Sequence, residues 1–253
     1  MHPTDYQPML PRVARAACLV AGLLISACGS GGGNDASATA AAGSGSGTAP
    51  KALAFTDAPA LPAAPATLPA ANSRNICAGI AITGRRIENL SVPDGATCVL
   101  DRGTRIDGNL ELGTGAELFA RGIIVGGNVQ GQQTGAVLLE TSTVGGSVQL
   151  DRGGAATIVA STVEGSVQWK ERAAMLYVVG TRIGADLQLF ANRGGATLAD
   201  NQVGGNIQAD ENRGSLAIDR NLADGNLQCK QNAPAPTGAG NRAASKEDQC
   251  AAL

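Results

Sequence analysis

A short phrase, apolar-x-Gly-[Asn/Ser]-apolar-Gln, recurs seven times between residues 106 and 228, as IDGNLE, VGGNVQ, VGGSVQ, VEGSVQ, IGADLQ, VGGNIQ and ADGNLQ. Its central small residue falls at Gly108, Gly127, Gly146, Gly165, Ala185, Gly205 and Gly225, with spacings of 19, 19, 19, 20, 20 and 20 residues. A repeat this short cannot form a propeller blade or a helical hairpin. It fits one coil of a stack in which each copy buries its apolar side against the next. The expected fold is therefore all-β: a single-stranded parallel β-helix, or β-solenoid, of seven to eight coils of 19–20 residues with right-handed winding.

Alternation within the phrase assigns its faces. In Val144-Gly145-Gly146-Ser147-Val148-Gln149-Leu150 the even positions are apolar or small, so period two sends Val144, Gly146, Val148 and Leu150 inward. A second apolar patch lies seven to nine residues before each phrase, for example Val137 to Leu139 or Leu176 to Val179, and supplies another wall. Four residues before the anchors stand Thr104, Ile123, Ser142, Ser161, Thr181, Asn201 and Asn221, with Asn241 one period on; this polar column predicts an internal hydrogen-bonded ladder at a turn. Opposite charges also fall in register, Asp151 over Lys170, Arg152 over Glu171 and Asp200 over Arg220.

On the outward face, the position after the anchor carries Asn109, Asn128, Ser147, Ser166, Asp186, Asn206 and Asn226. Two residues further on come Glu111 and then Gln130, Gln149, Gln168, Gln188, Gln208 and Gln228. Rows about 4.8 Å apart would form a flat polar lattice. Such amides stabilise stacking by bonding one another, and the same lattice is a candidate binding surface for an extended glycan, peptidoglycan or a protein partner.

The first residues read as an export signal. Arg12 and Arg15 precede an apolar run from Ala16 to Ala27, too short for a membrane span of about 20 residues. Ile25-Ser26-Ala27-Cys28 resembles the bacterial lipobox, which implies cleavage after residue 27 and a lipid on Cys28. By the same resemblance, Gly29 in place of the Asp associated with inner-membrane retention directs the chain to the outer membrane. Of residues 29–72, 35 of 44 are Ala, Gly, Ser, Thr or Pro, a composition expected to stay disordered. The chain thus divides into a signal (1–27), a lipidated cysteine with its tether (28–72) and a solenoid (73–253).

The formal charge of −2 offers no basic field for nucleic acid. The single histidine, His2, leaves with the signal, so no imidazole remains for catalysis or metal binding, and no metal or cofactor is expected. Four cysteines remain in an oxidising compartment. Of three possible connectivities, Cys77–Cys98 and Cys229–Cys250 is the simplest, because each pair is 21 residues, about one coil, apart. These bridges would staple the first and last coils, whose sheet edges are otherwise open.

The C-terminal stretch Gly225-Asn226-Leu227-Gln228-Cys229, followed by Asn232, Pro234-Ala235-Pro236, Asn241 and Gln249-Cys250, resembles the ending of a family of exported bacterial proteins of uncharacterised activity. That resemblance implies a β-helical fold. Bactofilins, which polymerise end to end, are also β-helices of short coils, but the export signal, tether and cysteine-closed ends here argue against filaments. Many parallel β-helices are polysaccharide lyases or glycoside hydrolases, which use clustered carboxylates or a calcium site. Acidic residues on adjacent coils here alternate with bases, so no catalytic residue is assigned. A structural or binding module is expected, with a carbohydrate-active enzyme as the alternative.

Overall fold

A computed structural model describes residues 51–71 and 74–253. The signal, Cys28 and the tether up to residue 50 lie outside the described residues.

Each coil contributes one strand to each of three walls, and the walls are sheets of eleven, eight and eight strands. All pairings between coils are parallel; the one antiparallel pair joins Ala70–Ala71 to Arg74–Ile76 at the start of the largest sheet. The repeated phrase bends between two walls. Its first apolar residue ends a two-residue strand such as Thr143–Val144, and its last two begin a strand of the eleven-stranded amide wall, such as Val148–Gly153. The third or back wall holds the second apolar patch, for example Val137–Glu140 and Leu176–Val179.

The register follows the sequence columns. Val129, Val148, Val167, Leu187, Ile207 and Leu227 pair in succession, and each is at most 1% exposed. Trp169 fills the same interior at 1% exposure. Gly146 departs from the expectation, since it is half-buried at the corner between two walls. A Cβ there would lie 2.4 Å from Asn128 Oδ1 and 2.8 Å from the Gly127 carbonyl oxygen. Glycine fills this anchor in six of the seven phrases, with Ala185 in the other, because successive coils touch at this corner.

The chain makes about nine turns rather than seven to eight. The first extra coil is hidden because Ile87 pairs with Ile106 and Leu90 with Leu110, leaving only Glu88-Asn89 where the next coil has Asp107-Gly108-Asn109. The phrase has lost its glycine. At the other end Lys246–Asp248 pairs with Leu227–Cys229, continuing the wall with a charged sequence that matches no phrase.

Both expected disulfides are present, Cys77–Cys98 and Cys229–Cys250, with Cα separations of 5.5 and 5.3 Å. The ends are also covered by backbone. At the N-terminal edge of the back wall, the Ala81 N–H donates to the Pro62 carbonyl, and the Ala64 N–H donates to the Ala81 carbonyl, both at 2.8 Å. Arg85 clamps this cap by donating to the carbonyls of Ala64 (3.1 Å) and Pro65. At the far end, Pro234 and Pro236 lie in the last pass along that wall, where missing N–H groups deny a further strand its donors.

The solenoid domain therefore recruits chain that composition assigns to the tether. Leu53, Phe55, Ala58 and Leu61 pack on Val99, Phe119 and Leu138, an apolar patch on the outside of the back wall, while Ala64 and Leu68 pack against the main core. Averaged composition hid this strap, because a few large apolar residues suffice to dock a segment rich in Ala and Pro. Of the three charge pairs, Asp200–Arg220 forms a two-bond bridge at 2.8 Å. Asp151 does register with Lys170, but the ion pairs are made within each strand, Asp151 to Arg152 (3.7 Å) and Lys170 to Glu171 (3.5 Å). Arg152 and Glu171 occupy left-handed corners, at φ 55° and 52°, which take their side chains out of the regular alternation.

Candidate functional site

Outward positions of the amide wall set the glutamines in a continuous chain. Gln130 Nε2 donates to Gln149 Oε1 at 2.8 Å, and the pattern continues through Gln168, Gln188, Gln208 and Gln228 at 2.7–3.1 Å. Gln228 then donates to Glu247 Oε2 at 2.8 Å. The Ser245 hydroxyl, and after it the Gln228 amide, hold the Glu247 carboxyl below its ordinary range, so it ends the ladder as an acceptor at neutral pH. Glu111 stands first in the column but has no N–H to donate, and it pairs with Arg74 instead. The ladder thus has a direction, with every linking N–H pointing toward the C-terminal end. A carboxamide has two N–H donors and two acceptor positions, so each internal rung keeps one of each for a ligand or water.

The neighbouring row behaves differently. Oxygens of Asn128, Ser147, Ser166, Asp186 and Asn206 accept the backbone N–H of Ser147, Ser166, Asp186, Asn206 and Asn226 respectively, at 2.7–3.3 Å. Asn226 Nδ2 donates to Glu247. These side chains brace the glycine corner from one coil to the next. Of the two expected rows, this one spends its oxygens on the backbone of the next coil, whereas the glutamine row bonds side chain to side chain along the outer surface.

A groove of about 560 Å³ runs along part of this row, lined by Gln149, Gln168 and Gln188 together with Lys170 and Phe190. That volume lies within the range of ligand sites. Phe190 is 39% exposed, and Lys170 Nζ lies 5.8 Å from its ring centroid. One column of the wall reads Asp151, Lys170, Phe190, Asp210 and Lys230, and of these charges only Asp151 and Lys170 line the groove, so no single sign dominates there. The repeat columns do not single out Phe190 as part of this face. Strand parity contains the signal, because Phe190 is two residues from Gln188 and so shares its face.

Two further polar systems lie inside the wall. The expected turn ladder is present: Asn201 and Asn221 each donate Nδ2 both to the next asparagine oxygen (2.9 and 3.0 Å) and to a carbonyl, Val178 or Leu198 (2.7 and 2.9 Å). A second ladder, Asn192–Asn212–Asn232, was not anticipated; Asn232 also donates to Gln249 Oε1. It is readable from 20-residue spacing, but the preceding coils place Thr134, Gly153 and Arg172 in that column and break the pattern. Arg172 is fully buried and donates to the carbonyls of Arg152, Gly154 and Ala155 and to Thr134 Oγ1, at 2.7–3.3 Å. Burial lowers its pKa to about 10. Its bonds close the corner carbonyls, which gives it a structural role.

Among the described residues, no group of three or more His, Cys, Asp or Glu side chains is arranged to hold a metal ion. The carboxyls of Asp101, Asp107 and Asp200 are held low chiefly by hydrogen bonds from Arg121, Arg86 and Arg220.

The fold and this face define an all-β protein of the parallel β-solenoid class with a directional amide ladder on one outer wall. No family model matches the chain, and no curated protein or solved structure is similar enough to it to count as a match.

Proposed function

We propose that this chain is a lipid-anchored envelope β-solenoid, exported and held at the outer membrane through Cys28, and that it acts as a rigid binding module without catalysis. The observation that carries the binding reading is the unused donor and acceptor on each rung from Gln149 to Gln228, presented at a fixed spacing by a stapled and capped frame. Preorganised polar groups bind with little loss of side-chain freedom, because each amide is already oriented by its neighbours. The anchor is supported by the lipobox-like Ile25-Ser26-Ala27-Cys28, and the outer-membrane address by Gly29. The ligand is an extended envelope polymer, polysaccharide or peptidoglycan.

Co-sedimentation of the full-length lipoprotein, in detergent, with purified peptidoglycan and insoluble envelope polysaccharides tests this. Saturable binding is expected, reduced when Gln149, Gln168 and Gln188 are changed together to Lys, with no sugar released into the supernatant. Released sugar would replace the module by a carbohydrate-active enzyme. No sedimentation with either polymer would leave the ladder as scaffold and turn the search to a protein partner.

A further inference from the structure

The amide wall is not uniform along its length. Coils carrying Gln130, Gln149 and Gln168 have six-residue strands (Val129–Thr134, Val148–Gly153, Val167–Arg172), whereas the next three, beginning at Leu187, Ile207 and Leu227, have four. The groove lies where the longer strands give way to the shorter ones. Phe190 ends the first short strand and stands partly exposed at this step, one residue beyond an interior position held by Leu189. An exposed aromatic ring beside ordered amides pairs an apolar platform with directional donors and acceptors.

Resting on the amide-face reading, we infer that the groove around Gln168, Gln188 and Phe190 is a subsite for a neutral, equatorially substituted pyranose chain running along the solenoid axis. The C–H face of one sugar ring covers Phe190, and its hydroxyls bond the spare amide groups of Gln168 and Gln188. Three points on the structure select this ligand. Spacing is the first: rungs rise about 4.8 Å per coil, comparable with the length of one sugar ring in an extended chain, whereas same-face groups of an extended peptide recur at about 7 Å and drift out of register within two rungs. Charge is the second, since the only charged side chains lining the groove are Asp151 and Lys170, of opposite sign, and Lys170 is already paired with Glu171 at 3.5 Å, which leaves no field for a polyanion. Extent is the third. Four rungs from Gln130 to Gln188 line the groove and span roughly 14 Å, room for about three rings.

Isothermal titration of the full chain in detergent with cellohexaose, chitohexaose and an oligogalacturonate tests the inference. At least one neutral hexasaccharide is expected to bind with an affinity that changes little from low to near-molar salt. Phe190→Ala should weaken that binding about tenfold, and Phe190→Trp should retain it. Thermal unfolding of Phe190→Ala should match the parent, because the ring is partly exposed; this separates lost binding from lost fold. Stronger, salt-sensitive binding of the oligogalacturonate would overturn the inference, as would neutral binding indifferent to Phe190→Ala. If the protein still sediments with envelope polymers in a glutamine-dependent way while neither neutral hexasaccharide binds, the amide-face reading stands and the neutral subsite falls. If both assays fail, both readings fall.

Discussion

Of the amide ladders that run along this molecule, one through Asn221 lies inside a turn and the glutamine row lies outside a wall, and the same functional group does different work in each. In the inner ladder, Asn221 donates to the Leu198 carbonyl and to Asn241, and its oxygen accepts both the N–H and the Nδ2 of Asn201. Asn221 is 1% exposed. In the outer ladder each glutamine from Gln149 to Gln228 donates once to the next coil and accepts once from the previous one, with its remaining groups on the outer surface of the wall. The difference teaches that a repeated amide column is evidence for stacking, while its availability to a ligand depends on which side of the wall it occupies. A buried polar group left without its partner is costly, whereas an exposed one is rescued by water.

Asn221→Ala should show the contrast most strongly. It strands the Leu198 carbonyl, the Asn241 oxygen and the Asn201 donors in a dry turn, and should lower the unfolding free energy by about 3 kcal/mol, measured by urea titration. Arg172→Met should cost less, about 2 kcal/mol by the same titration, because losing bonds to three carbonyls is partly offset by removing a desolvated charge. On the outside of the back wall, Phe55 stacks under Arg121, with Cζ 4.1 Å from the ring centroid; Phe55→Ala should cost about 1 kcal/mol and speed proteolysis of the strap. Gln168→Ala should change stability by less than about 0.5 kcal/mol, and a loss equal to that of Asn221→Ala would erase the distinction between the ladders.

The smallest effect is on pH dependence. Neither ladder titrates through its amides, so acid should act through carboxylates such as Asp101 and Asp200, whose arginine partners hold their folded pKa values low. Such groups contribute stability above their unfolded pKa of about 4, and lose it as pH falls through the depressed folded values. These pairs are exposed or nearly so, so scanning calorimetry from about pH 5 to about pH 3 should find only a modest fall in melting temperature, reduced further by salt.

Much of this was legible in the residues. The 19–20-residue period placed Val148 over Val129 and Gln168 over Gln149, and the 21-residue cysteine spacing matched both disulfides. The first coil was not legible, because Glu88-Asn89 lacks the glycine that marks every neighbour except the coil of Ala185. Nor was the strap, since Leu53, Phe55 and Leu61 dock on an apolar patch that exists only once Val99, Phe119 and Leu138 are stacked.

The sequence by itself determined the coil, its register and the columns that face the core, because a parallel stack with a constant repeat turns positions in a sequence column into neighbours in space. Only the tertiary structure decided which polar columns are occupied and which are open. Asn128 and Gln130 are two residues apart and both belong to outward-facing rows, yet the corner at Gly146 brings the Ser147 N–H to within 2.8 Å of Asn128 Oδ1 and leaves Gln130 facing solvent. Hydrogen-bond partnership depends on the backbone turn and on local burial, and these arise when coils meet.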